Sequence, residues 1–352
     1  MIKVNKMQNT SINNMITPID TKKKSSHNDG INSLIELTAA DMEKVNDLII
    51  NQTISKTDII PKISRYLITA GGKRLRPMLT IASSLLCGRK NDNHILLATS
   101  VEFMHTATLL HDDVVDDSSM RRGKISARML WGNEASVLVG DYILGQAFKI
   151  MVQSESLKAL GILSNAAAII AQGEVMQLSS VKNISTSEND YINIIESKTA
   201  ALFAAATEVG GIINDRPEKE CVALRSFGHN LGLAFQLTDD ALDYNGNVDT
   251  LGKEIGDDFN EGKITLPIIL SYKKSNSDEN KFWNNVMLKE KRTNDDFTQA
   301  MLILEKHNCI NETMKRAKYY ANLAIKALEI FPESEIKKSL IESTIFSYNR
   351  NH

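Results

Sequence analysis

Only six prolines interrupt the 352 residues, and none falls between Pro77 and Pro217. A gap that long, filled with Ala, Leu, Ile and Met, excludes frequent turns and favours long helices. Three cysteines, Cys87, Cys221 and Cys309, form no C-x-x-C pair. They exclude a disulfide framework and fit a reducing compartment such as the cytoplasm. The net charge is only −2, which leaves no global basic field for nucleic acid. No uninterrupted apolar run reaches membrane-spanning length, and the polar start of the chain, with "TKKKSS" at Thr21–Ser26, has no signal-peptide core. Residues 1–33 therefore read as a polar, disordered head and 34–352 as one folded domain.

Sustained strand alternation is also missing. Helical spacing recurs instead in "LTAADMEKVNDLII", where Thr38 with Asp41 resembles a capping box, in Leu163–Leu178, in Glu196–Ile213, and in the stripe Ala317, Ala321, Ala324 and Leu328. The fold class is all-α. The polar stretch Lys273–Asp296 reads as an exposed loop with at most a short helix.

Against this background, "HDDVVDDSSMRRGK" (His111–Lys124) is unusual. Asp112 and Asp116, four apart on a helix, share a face, with Asp113 on its shoulder. Such carboxylates repel each other unless a cation intervenes, and hard oxygen ligands suit Mg²⁺. One acidic motif alone would be an ordinary solvated helix face. The pattern recurs, however, in "FQLTDDALD" as Asp239, Asp240 and Asp243. Both copies are flanked by strongly apolar residues, so each acidic face lines something. Two such faces opposed across a cavity, bridged by Mg²⁺, would hold a phosphate-bearing ligand. Basic groups flank both: "GGKRLRP" with Lys73, Arg74 and Arg76, then Arg121 and Arg122, then "GKEIGDDFNEGKITLP" with Lys253 and Lys263.

These four motifs, in this order, resemble the trans-isoprenyl diphosphate synthases over Leu34 to the C-terminus, and "EFMHTATLLHDDVVDD" resembles the long-chain octaprenyl to decaprenyl branch, which makes quinone tails. The resemblance implies a single-domain isoprenoid synthase bundle of helices around a central cavity. It implies Mg²⁺, about three per site with substrate bound, on Asp112, Asp116, Asp239 and Asp243, with Asp113, Asp240 and Lys198 also in the catalytic set. It assigns isopentenyl diphosphate to Lys73, Arg76, His105 and Arg122. The allylic diphosphate, farnesyl diphosphate as the primer, falls to Arg121, Lys198, Thr199, Gln236 and Lys253, with Lys263 nearby.

Short-chain relatives place a bulky aromatic near Ala107 and Thr108 to floor the pocket. Small residues here imply a long product, about C40 to C50, and Ala107→Tyr would shorten it. The family also implies a homodimer and transient membrane contact for product release. Gln172 and Gln177 are open between tunnel lining and helix hydrogen bonding, and His111 is expected in helix packing. A terpene cyclase would not need "GGKRLRP" or the second motif. An HD-type phosphohydrolase would use His105, His111 and Asp112 but leave the second motif idle. A regulatory subunit would have lost one motif. A geranylgeranyl synthase is the shorter-chain alternative.

Overall fold

The computed structural model describes residues 29–69, 71–245 and 256–349. The head before residue 29 and Lys253 lie outside them. Sixteen α-helices are formed among the described residues, joined by one two-residue hairpin.

The first four helices are α1 (Asp29–Gln52), α2 (Ile59–Thr69), α3 (Leu75–Leu86) and α4 (Asn93–Val115). The hairpin strands β1 (Met120–Arg121) and β2 (Lys124–Ile125) precede α5 (Ala127–Trp131), α6 (Asn133–Gln153), α7 (Leu157–Ser180) and α8 (Glu188–Ile195). A π-helical turn, Glu196–Ala200, runs into α9 (Ala201–Ile212) and then α10 (Glu218–Leu242). The remainder is α11 (Asp257–Glu261), α12 (Leu266–Lys274), α13 (Ser277–Met287), α14 (Asn294–Lys306), α15 (Cys309–Ala327) and α16 (Glu335–Asn349).

Helix α10 organises the bundle. Leu224, Phe227, Leu231, Ala234, Thr238 and Ala241 repeat at intervals of three and four and are all buried. Its first half joins a large core built with α1, α3, α4, α6 and α9. Its second half, through Leu233 and Leu237, joins a smaller core with α8, α12, α13, α14 and α15. Gly228 and Gly232 let α10 lie close on its neighbours: a Cβ on Gly228 would stand 2.3 Å from Phe203 O, and one on Gly232 would stand 2.7 Å from Ala200 Cα.

Two local expectations are corrected. Thr38 and Asp41 do not cap a helix, because α1 starts earlier, at Asp29, and takes in residues 29–33 of the supposed polar head. Thr38 lies inside it and donates to Leu34 O at 2.7 Å, while Asp41 is buried against Arg89 and His94, each at 3.0 Å. The stretch Lys273–Asp296 does hold a short helix, as its sequence allows, but that helix is not simply exposed. Asn276 and Glu279 form a capping box, α13 follows, and Trp283, Val286 and Met287 are buried on its inner face.

By length and composition α6 and α7 could each cross a membrane, although no apolar run in the sequence suggested it. Only 39% and 28% of their most apolar windows are buried within the chain.

Candidate active site

Both acidic motifs close a helix. Asp112 and Asp113 occupy the last turn of α4, and Asp116 is its C-cap, with its N–H on Asp112 O at 2.8 Å. Asp239 and Asp240 occupy the last turn of α10, and Asp243 is its C-cap. The negative end of a helix dipole disfavours carboxylates there and favours a cation, by ~0.3–1 kcal/mol per charge. Twice, then, the fold sets acids where their own helix opposes them.

Two bridges join the motifs. In the first, Lys263 Nζ donates to Asp116 Oδ2 at 3.1 Å, Lys263 N–H to Asp258 O at 2.9 Å, and Asp258 N–H to Asp243 Oδ2 at 3.2 Å. The second runs through the π turn. Lys198 Nζ lies 3.9 Å from Asp112 Oδ2, and next to it Thr199 Oγ1 donates to Gln236 Oε1 at 2.9 Å. Gln236 Nε2 in turn donates to Asp240 Oδ1 at 2.8 Å. The two acidic helix ends are thus tied to each other through Lys263 and through the π turn.

The aspartates are not equivalent. Asp112 and Asp116 keep partial access, and Asp239 is exposed. Asp113 is fully buried and held by Arg121, Nε at 2.7 Å and Nη2 at 2.6 Å, both on Oδ1, leaving Oδ2 without a hydrogen bond. Asp240 is buried too, and Tyr191 O–H donates to its second oxygen. Burial raises the pKa of Asp112 and Asp113, against the pull of Lys198 and Arg121 respectively. Burial, then Asp258, pushes Asp240 up to about 7 against its hydrogen bonds from Tyr191 and Gln236. Burial works to lower the Lys263 ammonium, but Asp258, Asp116 and Glu261 outweigh it and raise its pKa.

The hairpin after α4 is built to present arginines. Arg122 (φ 52°) and Gly123 (φ 71°) form its two-residue turn, both with positive φ as a type I′ turn requires. Arg121 thereby reaches Asp113, and Arg122 Nη1 reaches Gly71 O. Gly72 takes φ 125°, a conformation that favours glycine, and lies against the Arg122 guanidinium, whose Nη1 would stand 2.7 Å from a Cβ there. Arg76 Nη1 lies 3.3 Å from His105 Nε2, and its guanidinium stacks 4.5 Å over Phe203. Burial lowers Arg76 to about 10, opposed by Glu102. Burial, then Arg76 and Arg122, holds His105 well below the usual histidine range, so it is neutral at pH 7. Lys73 Nζ sits 4.8 Å over Phe346 of α16. Arg76, His105 and Arg122 thus come together from three separate segments, with Lys73 nearby in sequence but over Phe346.

Several residues were not foreseen. Lys198 donates to Glu174 Oε2 at 2.8 Å and to Gln177 Oε1 at 2.7 Å, both on α7. A lone acid in the otherwise uncharged "IIAQGEVMQL" was the available signal for Glu174. Gln172, by contrast, is exposed away from this group. Tyr191 gave no signal at all. Ala107 is packed in the larger core at 1% exposure, while Thr108, one turn from Asp112, is half-buried. His111 packs on α6 as expected, with Nε2 3.3 Å from Val137 O. A cleft of about 500 Å³ lies behind the end of α10, lined by Leu242, Asn245, Met314 and Tyr348 among others, and holds none of these charged groups.

The donor set suits a hard cation. Buried, unpartnered carboxylate oxygens of Asp113 and Glu174 stand among acids whose pKa burial has raised. No three His, Cys, Asp or Glu side chains among the described residues converge on one point. Water and ligand oxygens would complete the shell, as is usual for Mg²⁺.

A family model described as polyprenyl synthetase matches residues 57–304. The octaprenyl diphosphate synthase of Haemophilus influenzae is 41% identical over 322 residues, covering 92% of this chain and 98% of its own. The decaprenyl diphosphate synthase structure from Rhodobacter capsulatus is 43% identical with a TM-score of 0.87, covering 91% and 99%. A polyprenyl synthase structure from Caulobacter crescentus, complexed with calcium and isoprenyl diphosphate, is 45% identical with a TM-score of 0.89, covering 94% and 100%.

Proposed function

The chain belongs to the polyprenyl synthetase family, and we propose that it is a prenyltransferase, a long-chain all-trans polyprenyl diphosphate synthase. It condenses isopentenyl diphosphate, head to tail and repeatedly, onto an allylic diphosphate such as farnesyl diphosphate. The product has roughly eight to ten isoprene units, the range of its octaprenyl and decaprenyl relatives, and serves as a quinone side chain. The single observation that carries the reading is the pair of bridges joining the two acidic motifs, because they gather carboxylates and lysines around one anion site.

Asp112, Asp116, Asp239 and Asp243 would hold Mg²⁺, three ions per site with substrate bound. The chemistry Mg²⁺ supplies there is neutralisation of the diphosphate's charge, which makes it a better leaving group. Lys198, Thr199 with Gln236, Lys263 and, beyond the described residues, Lys253 hold the allylic diphosphate. Arg121 buttresses this side through Asp113. Lys73, Arg76 and Arg122 hold the second diphosphate, with neutral His105 fixing Arg76. Ionisation of the allylic carbon–oxygen bond leaves an allylic cation. The double bond of isopentenyl diphosphate attacks it, and the proton lost in restoring a double bond goes to the released diphosphate. The protein acts by positioning and electrostatics, without a covalent nucleophile.

We place the enzyme in the cytoplasm as a homodimer. The exposed apolar side chains of α6 and α7, Leu138, Val152, Leu157, Val175 and Leu178 among them, support pairing through that face. Release of so apolar a product would bring it transiently to a membrane surface. The deciding experiment incubates the purified chain with farnesyl diphosphate, labelled isopentenyl diphosphate and Mg²⁺. A ladder ending at roughly eight to ten units is expected. A stop at geranylgeranyl length would move the chain to the short branch, and no elongation would reject catalysis by this chain alone.

A further inference from the structure

On the footing of that prenyltransferase reading, we propose that Tyr191 is a positioning residue: a buried hydrogen-bonded ring from Tyr191 through Asp240 and Gln236 to Thr199 clamps the π turn that carries Lys198.

Tyr191 lies in α8, immediately before the π turn, and is 4% exposed. Its O–H donates to Asp240 Oδ2. The other oxygen of Asp240 accepts from Gln236 Nε2 at 2.8 Å, and Gln236 Oε1 accepts from Thr199 Oγ1 at 2.9 Å. The covalent chain from Tyr191 to Thr199 closes the ring, and the π turn up to Thr199, with Lys198, lies inside it. In that turn Ala201 N–H reaches back five residues to Glu196 O, the widened spacing of a π bulge. Such a turn has poorer intrinsic stability than α-helix and needs outside support. Gly232 of α10, beneath Ala200, and Gly173 of α7, beneath Ser197 and Lys198, admit the neighbouring helices closely enough to give it.

Asp240 thereby has a different task from the other members of its motif. Both its oxygens are engaged by protein donors and it is 2% exposed, whereas Asp239 faces outward. It ties the second acidic motif to the π turn, so the aspartates of α10 and the cation of Lys198 hold a fixed relation. Arg76 and His105 come from α3 and α4, outside the ring. The ring therefore predicts an effect on one substrate and not the other.

The test compares wild type with Tyr191→Phe, Asp240→Asn and Asp240→Ala. The readouts are thermal midpoint, KM for each substrate, half-saturating Mg²⁺, and calorimetric affinity for a non-ionising thio analogue of farnesyl diphosphate. Tyr191→Phe should weaken the analogue and raise the allylic KM on the order of tenfold, while the KM for isopentenyl diphosphate stays within about twofold. Asp240→Asn should recover much of what Asp240→Ala loses. A flipped Gln236 amide can accept from Asn Nδ2 and donate to Thr199, so the ring closes through neutral groups. A purely structural Tyr191 would lower the thermal midpoint and leave both KM values and the analogue affinity at wild type, which overturns the proposal. So does an Asp240→Asn as impaired as Asp240→Ala, with a raised Mg²⁺ requirement, because that marks Asp240 as a metal ligand. If wild type fails to elongate, the prenyltransferase reading fails, and the analogue affinities still decide the ring.

Discussion

Six aspartates with one spelling divide into separate tasks. Asp112, Asp116 and Asp239 keep access to the site, and Asp243, largely buried, accepts from Asp258 N–H, whereas Asp113 is spent on Arg121 and Asp240 on Tyr191 and Gln236. The pattern D-D-x-x-D was legible, but the division of labour was not, because it depends on what each shoulder of the helix packs against. The same holds for chain length. Ala107 and Thr108 are adjacent, yet Ala107 is enclosed in the core and Thr108 lies one turn from Asp112 on nearly the same face. Thr108→Phe is therefore expected to shorten the product by several isoprene units with little loss of stability. Ala107→Tyr should also shorten it, at a cost of about 1–3 kcal/mol from overpacking. Product ladders and thermal midpoints of the two variants check this, and an unchanged ladder in Thr108→Phe would remove position 108 from the pocket wall.

At the scale of elements, the π turn is the part of the fold that the site depends on most. A Cβ on Gly173 would stand 2.7 Å from Ser197 Cβ and 2.8 Å from Lys198 N. The second contact is backbone and cannot swing away. Gly173→Ala should push the turn off α7, part Lys198 from Glu174, and lower kcat/KM for the allylic substrate on the order of tenfold to a hundredfold. Gly161 on the same helix meets nothing within 4 Å. Gly161→Ala is the control, expected to leave kinetics unchanged and to stabilise by about 0.5–1 kcal/mol. Equal kinetic effects from the two would show that helix propensity, not the close approach, matters at Gly173. Several helices, α1, α7, α9 and α15 among them, were readable from spacing alone. Those misread show why: α13 hides Trp283, Val286 and Met287 among Asn, Lys and Glu, and the start of α1 carries no local punctuation at Thr38, whose hydroxyl bonds within the helix instead of capping it.

For the whole molecule, the exposed apolar faces of α6 and α7 make a prediction about assembly. Wild type should sediment as a dimer at micromolar concentration. Leu138→Glu with Val175→Glu should shift it to monomer, because a charge on each face must be desolvated for pairing. A wild type with the mass of one chain at every concentration would reject the homodimer. Two helices of a bundle pass a membrane-span criterion of length and composition because these exposed apolar residues add to the buried ones of α6 and α7, while Glu174 and Gln177 on α7 turn to Lys198.

The amino-acid sequence by itself determined the helical class, the two acidic motifs, their basic flanks and the family, because these reside in local spacing and in short strings that recur in order. Only the tertiary structure decided which carboxylates stay open, how Lys198 and Lys263 bridge the motifs, and that Tyr191 meets Asp240 and Glu174 meets Lys198. Those are contacts between residues far apart in the chain, such as Asp116 with Lys263 and Tyr191 with Asp240, and they exist only once the large and small cores have set the helix ends against one another.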